Sequence, residues 1–254
     1  MECRATSDGD EENGMAERAA IVTGGSSGIG LAIAQVLGEE GHALTVAARR
    51  AEKLEEAARG LREAGFEVNA VSGDLGDEAV VQEVVRSHRE RYGRLDVLVN
   101  NAGVGMGENV DELTTKKVDI QLATNLRSLI LFYRECAGLL RASGGEHRRA
   151  LVVNMSSISG KSGQPWLSVY SATKAAVVGF TQAMHKEVGS QGIKNTALCP
   201  GFVDTPMTDF VKDQVRAEDM IQVSDIAETV RVLLKMSPGC VVPEIQFLRP
   251  GESL

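Results

Sequence analysis

Tyr170 and Lys174 stand four residues apart in Tyr170-Ser171-Ala172-Thr173-Lys174, with Ser157 thirteen residues before the tyrosine. Positions i and i+4 of a helix share a face, so this spacing predicts an ammonium held beside a phenol, where it favours the ionised form. An unperturbed phenol, with a pKa of about 10, exchanges protons poorly at neutral pH, and a neighbouring cation corrects that. The second cluster is Thr23-Gly24-Gly25-Ser26-Ser27-Gly28-Ile29-Gly30. Bare N–H groups at the start of a helix attract anions, and a glycine-rich turn between an apolar strand and a helix suits a dinucleotide pyrophosphate. Together the clusters point to hydride transfer between a carbonyl and an alcohol. Charge builds on the substrate oxygen in that reaction, so a proton donor and a second hydrogen-bond donor must converge on it. Tyr170 and Ser157 meet the two needs, with Ser156 a competitor for the hydroxyl role. Asn125, in Ala123-Thr124-Asn125-Leu126-Arg127, occupies a predicted helix that asparagine disfavours, which suggests a side chain used for bonding or a satisfied interior amide.

Within the turn, Gly24, Gly28 and Gly30 fit a Thr-Gly-x-x-x-Gly-x-Gly pattern, with Ser26, Ser27 and Ile29 between them. About twenty residues beyond such a turn, an NAD-binding fold presents a carboxylate to the ribose 2′-hydroxyl. Here that place is Ala48, followed by Arg49 and Arg50. No carboxylate repels a 2′-phosphate and a guanidinium can grip it, so NADP(H) is the expected coenzyme.

The elements that must hold these groups read as alternating apolar runs and helix-length segments. The runs are Ala19–Thr23, Ala43–Ala47, Val68–Val71, Leu95–Val99, Leu151–Met155, Asn195–Leu198 and Ile245–Leu248. Short, continuously apolar strands imply a sheet covered on both faces, and the rhythm predicts an α/β fold with a doubly wound parallel sheet in a single domain. Helices are expected near 29–40, 51–64, 77–91, 116–141, 168–190 and 225–236, with a polar turn at 144–149. Ligands of such sheets bind beyond the carboxyl ends of the strands. The segments Gly24–Gly30, Asp74-Leu75, Asn100-Asn101-Ala102-Gly103, Ser156-Ser157 and Pro200-Gly201 all follow strands, which predicts one shared site. Residues 204–223 break the rhythm and read as a mobile substrate lid, with Trp166, Leu167, Phe202, Met207, Phe210 and Met106 as candidate apolar pocket residues.

Taken together, Thr23–Gly30, Asn100–Gly103, Asn125, Ser157, Tyr170–Lys174 and Pro200-Gly201 resemble the short-chain dehydrogenase/reductase family in its compact, single-domain, NADP(H)-preferring branch. The resemblance spans residues 19 to about 236. It implies a Rossmann fold, Tyr170 as general acid/base, and Lys174 lowering the tyrosine pKa and binding the nicotinamide ribose. It further implies Ser157, rather than Ser156, as the group orienting the substrate oxygen, and Asn125 as support for a relay water. Asp74 with Leu75 is implied near adenine, Asn101, Ala102 and Gly103 along the nucleotide cleft, and Pro200, Gly201, Val203 and Thr205 on the nicotinamide side. The chain departs from the family in ending on Val242-Pro243-Glu244-Ile245-Gln246-Phe247-Leu248-Arg249-Pro250, where many members carry a glycine-rich strand ending in Asp-Gly-Gly.

Composition narrows the remaining classes. The 254 residues are 43% hydrophobic, enough for one core, and an acidic segment at 1–16, with five acids against Arg4, supplies half of the net charge of −8 and is expected to be disordered before a domain at 17–254. Only ten aromatic residues and no basic run argue against nucleic acid, and no apolar stretch reaches the ~18 residues of a membrane span. Cys3, Cys136, Cys199 and Cys240 form no Cys-x-x-Cys pair and the four histidines no ligand spacing, so no metal and a cytoplasmic location are expected. The expected substrate is a small, hydrophobic ketone, aldehyde or alcohol. A 3-oxoacyl thioester on an acidic carrier protein is the competing reading, for which Lys161, Lys212 and Arg216 would form the basic rim. A nucleotide-binding interaction protein without chemistry is a third. Apolar residues beyond one stripe on helices 116–141 and 168–190 predict a homodimer or homotetramer.

Overall fold

A computed structural model describes residues 16–213 and 215–252, apart from the side chain of Phe210. The acidic segment therefore lies, except for Ala16, outside the described residues. Seven strands form one sheet: β1 (Ala19–Thr23), β2 (Ala43–Ala48), β3 (Val68–Ser72), β4 (Val97–Asn100), β5 (Ala150–Met155), β6 (Ile193–Pro200) and β7 (Glu244–Phe247). Their spatial order is β3-β2-β1-β4-β5-β6-β7, and every pairing is parallel. The order reverses between β1 and β4, and the splayed loops at that reversal open the crevice in which such sheets bind ligands.

Side chains alternate across each strand, and both faces are covered. Val22, Leu44, Val99 and Val153 pack under α1 (Gly28–Glu39), α2 (Ala51–Glu63) and α7 (Val223–Lys235), meeting Ile33, Leu37, Leu54, Ile226 and Val230. Ile21, Leu98 and Val152 face the other way, against Val81, Val84 and Val85 of α3 (Glu78–Tyr92) and Phe132 and Leu140 of α5 (Ser128–His147). Two-sided burial is why these strands read as unbroken apolar runs. Arg231 ties α7 to α1 through Glu39 and Glu40, at 2.5 and 2.6 Å.

The helices near the site show where local signals yield to packing. The expected helix 116–141 is two, α4 (Thr115–Leu122) and α5, joined by a π-helical turn at Ala123–Arg127 around Asn125. It also runs on through the expected polar turn to His147. Gly144 permits this, because a side chain there would meet the Gln191 carbonyl at 2.4 Å. Helix α6 (Ser168–Val188) carries Tyr170 and Lys174. Residues 204–223 hold two short 3₁₀ turns, Pro206–Val211 and Ala217–Asp219. Both ends of this segment are stitched together: Val203 bridges Ile221, and the Asp204 amide donates to the Ile221 carbonyl at 2.9 Å.

Candidate active site

Thr23, the last residue of β1, organises the nucleotide end of the crevice. Its hydroxyl donates to the Val99 carbonyl (3.2 Å) and accepts from the amides of Asn101 and Ala102 (both 3.0 Å). The Asn101 amide group donates back to the Thr23 carbonyl at 3.0 Å, so the β1 and β4 loops are locked together across the reversal. Gly24 turns the chain with φ of +69°, a conformation costly for any side chain. Gly30, inside the first turn of α1, passes so close that a Cβ there would lie 2.3 Å from the Gly24 carbonyl oxygen.

The cradle is left open at its anionic end. Asp77 and Thr114 cap α3 and α4 with their side chains, whereas Ser27 at the start of α1 makes no such bond. The first amides of α1 thus remain available to a phosphate, with the hydroxyls of Ser26 and Ser27 and the Gly28–Ile29 backbone beside them. At the end of β2, Arg49 and Arg50 are exposed and, among the described residues, neither forms an ion pair. An uncapped helix start with unpaired guanidinia at the 2′ position fits a phosphorylated dinucleotide. Across the crevice, Leu75 is buried and Asp74 exposed, its carboxylate bonded to the Gly76 amide at 3.0 Å. On the far side of the crevice, the Gly201 amide donates to the Phe247 carbonyl (2.9 Å), following Pro200 at the end of β6. Val203 is buried in its bridge, and Thr205 reaches over to Gly28, where its methyl would stand 3.2 Å from an added Cβ.

The candidate catalytic groups Ser157, Tyr170 and Lys174 converge from two elements. Ser157 follows β5, and Tyr170 and Lys174 come from one face of α6. The Ser156 hydroxyl donates to the Lys174 carbonyl at 2.8 Å and stitches β5 to α6. Ser157 accepts from the Ser159 amide (3.1 Å), makes a long bond, 3.4 Å, to the Pro200 carbonyl and also bonds the Tyr170 hydroxyl. Lys174 is 4% exposed, donates to the Met155 carbonyl at 2.8 Å and sits 5.7 Å from the Tyr170 ring centre. Burial pushes its pKa down to about 8. The phenol itself departs from the expectation of a lowered pKa: burial raises it, against a smaller opposing pull from the Ser157 hydroxyl. Desolvation of the anion dominates here, so the resting tyrosine keeps its proton at neutral pH.

Asn125 stands 2% exposed in the π-helical turn with its amide committed on both sides. It accepts from the Val104 amide (2.7 Å) and donates to the Val104 carbonyl (2.9 Å) and the Thr173 hydroxyl (3.1 Å). π-Helical turns gather at functional sites because they re-aim one side chain, as here. Gly103 lies between this group and the lysine, where an added Cβ would be 3.3 Å from Asn125 Oδ1 and 3.4 Å from Lys174 Nζ. The sequence reading missed Thr173, which joins Asn125 to the Tyr170 carbonyl at 2.7 Å, and the buried Gln121, whose signal was a polar residue one turn before Asn125.

Trp166, Met207 and Val110 give exposed apolar surface on the loops around the crevice. Phe202 carries the Arg249 guanidinium over its ring at 5.4 Å. The three cations of the expected basic rim are all consumed: Lys161 by Glu244 (2.9 Å), Lys212 by Asp204 and Asp209 (3.0 and 2.8 Å), and Arg216 by Glu218 and Asp219 (2.5 and 2.8 Å). Among the described residues no group of three or more His, Cys, Asp or Glu is placed to hold a metal, and no helix is long and apolar enough to cross a membrane.

Comparison with known proteins gives the same picture. Residues 18–216 match the family model for short chain dehydrogenase. A ketoacyl reductase of the monensin polyketide synthase from Streptomyces virginiae is 40% identical over 196 residues, 77% of this chain and 74% of that one. Among solved structures, an actinorhodin polyketide ketoreductase variant with NADPH superposes with a TM-score of 0.81 at 35% identity, covering 90% of this chain and 95% of that one. An alcohol dehydrogenase from the archaeon Thermococcus sibiricus, complexed with 5-hydroxy-NADP, gives 0.82 at 30% identity, covering 91% and 96%.

Proposed function

This chain belongs to the short-chain dehydrogenase family, and on that footing we propose that it is an NADP(H)-dependent oxidoreductase reducing small, hydrophobic ketones or aldehydes to alcohols. The observation that carries the proposal is the convergence of Ser157, Tyr170 and Lys174 at the strand ends, beside a cradle whose N–H donors and guanidinium groups are left free for an anion. When bound, NADP(H) supplies the hydride, and the protein does the rest by position and charge. Tyr170, holding its proton at neutral pH, donates it to the substrate oxygen as charge builds there. Ser157 donates a second hydrogen bond to the same oxygen. Lys174, buried yet mainly charged at pH 7, favours the phenolate left behind and is placed to reach the nicotinamide ribose. Asn125 braces the loop and α6 around them and carries the proposed relay water nearby. Arg49 and Arg50 grip the 2′-phosphate, with the α1 amides on the pyrophosphate and Asp74 toward adenine. Residues 204–223 close over the substrate.

A second reading, reduction of a 3-oxoacyl thioester on a carrier protein, draws support from the ketoacyl reductases among the relatives. An acidic carrier protein needs free cations at the mouth, and the neutralised rim favours free carbonyl compounds. Ketones and aldehydes assayed with NADPH and NADH in parallel, beside a carrier-bound acetoacetyl thioester, separate the two. Higher kcat/KM on free ketones with NADPH supports the first reading; a large preference for the thioester supports the second. Tyr170→Phe lowers kcat about a thousandfold with NADPH affinity retained, and retained activity removes Tyr170 as the acid. A nucleotide-binding protein without chemistry would turn over nothing in the panel.

The surface groove between α5 and α6, lined by Ile130, Ala137, Phe180 and Met184, supports a homodimer or homotetramer through these helices. Light scattering tests this, and a monomer refutes it. The proposed setting is the cytoplasm, which fractionation of the source cells checks.

A further inference from the structure

The segment Val104–Glu108 after β4 runs along α4 and its π-helical turn as an alternating strip. Asn125 holds Val104 at both its amide and its carbonyl (2.7 and 2.9 Å). One turn earlier on the same face, Gln121 accepts from the Met106 amide at 3.2 Å and donates to the Lys117 carbonyl at 3.3 Å. One turn earlier again, the Lys117 ammonium pairs with the Glu108 carboxylate. Residues i, i+4 and i+8 of the helix therefore hold every second residue of the strip, 108, 106 and 104. The residues between them are glycines facing the site. A Cβ on Gly105 would lie 3.8 Å from the Tyr170 ring, and one on Gly107 would fall 1.7 Å from the Trp166 ring, which occupies that space. Trp166 also receives the Glu108 amide on its carbonyl at 2.7 Å and has φ of +52°, a strained value for a bulky residue.

Gln121 is the middle rung and is 0% exposed, where most helices of this kind of packing would bury an apolar residue. A buried amide is retained only where its bonds repay its desolvation, and here they fix one backbone N–H of the pocket wall. We infer that Gln121 is a positioning residue for substrate selection: through Met106 it sets how far the 104–108 wall stands from Tyr170 and Trp166, and so the size of carbonyl compound admitted. It touches neither the reacting atoms nor the nucleotide cradle. The inference rests on the proposed carbonyl reduction for its kinetic test, so a second readout is independent of activity.

The kinetic test compares Gln121→Met, which keeps the volume and removes the acceptor, with Gln121→Glu, which keeps an acceptor oxygen. Steady-state kinetics use a compact ketone (acetone) and a bulky one (acetophenone), with NADPH. In Gln121→Met the KM ratio of the two ketones shifts on the order of tenfold, while kcat for the better substrate and KM for NADPH stay within about threefold of the original. Gln121→Glu restores the ratio in part. Lys117→Met, at the outer rung, moves it the same way but less. Trp166 is the chain's single tryptophan, so its emission reports the wall directly, and Gln121→Met changes the emission maximum and its acrylamide quenching. An unchanged ketone ratio together with unchanged emission overturns the inference, as does an equal loss toward both ketones and NADPH. If the parent protein reduces no ketone, the carbonyl reading falls; the emission of Gln121→Met then decides the positioning role by itself, unchanged emission overturning it.

Discussion

At the scale of single residues, the site is built from groups whose neighbours decide their use. Ser156 and Ser157 are adjacent and identical in type, yet one hydroxyl is bonded to the Lys174 carbonyl and the other faces the crevice. Ser157→Ala is expected to lower kcat by about a hundredfold with little change in stability. Ser156→Ala should do the reverse, costing about 1 kcal/mol in denaturant titration while kcat falls far less. The pair of measurements assigns the two hydroxyls by turnover and stability together. At the coenzyme end, Arg49→Asp removes a phosphate contact and adds repulsion. NADPH affinity should fall about tenfold to a hundredfold by titration, with NADH nearly unaffected; equal losses would overturn the 2′-phosphate assignment. The lysine gives a pH signature. Its pKa of about 8 means that its charge is present below pH 8 and is lost as pH rises beyond it, so ketone reduction should decline above pH 8.

At the scale of elements, the decisive features are the loops at the sheet reversal and the interrupted helix beneath them. Gly60, exposed in α2, has open space around it, whereas a Cβ added to Gly30 in α1 would lie 2.3 Å from the Gly24 carbonyl oxygen. Gly60→Ala should therefore raise stability by about 0.5–1 kcal/mol through helix propensity. Gly30→Ala should lower it by about 1–3 kcal/mol through overpacking and weaken NADPH binding as the cradle opens. Thermal midpoints and coenzyme titration check both, and a tolerated Gly30→Ala would contradict the tight crossing. The strands and most helices were legible because two-sided burial leaves continuous apolar runs and the helices obey their own period. The break at Ala123–Arg127 was not legible, since a π-helical turn has no propensity signal. It forms because Asn125 finds its partners on Val104 and Thr173, far away in the chain.

At the scale of the whole molecule, stability toward acid rests on groups remote from the site. His88 on α3 is fully buried, bonded to the Thr45 hydroxyl (2.8 Å) and the Arg94 carbonyl (2.8 Å), and burial pushes its pKa from 6.5 to about 4. The neutral ring suits the folded state. Its contribution is complete above pH 6.5 and is lost as pH falls toward 4, about 3 kcal/mol in all. Asp96, held below its usual range by the Arg94 and His147 hydrogen bonds that outweigh its burial, weakens the fold in the same direction as pH falls. Denaturation midpoints between pH 7 and 4 should fall steeply, and His88→Gln should flatten part of that slope. An unaltered slope would exclude His88 as a major source.

By itself the sequence carried the α/β alternation, the nucleotide turn and the Tyr170–Lys174 pair, because each is written in local pattern: unbroken apolar runs for strands buried on both faces, 3.6 residues per helical turn, glycine where a backbone must cross closely. Only the tertiary structure decided that the Ser156 hydroxyl is bonded to the Lys174 carbonyl, that burial keeps the proton on Tyr170, that Lys161, Lys212 and Arg216 lie beside carboxylates, and that Gln121 faces the 104–108 strip. Those depend on which chain segments meet across the sheet reversal and how much water remains between them, and neither distance nor desolvation is encoded in any single run of residues.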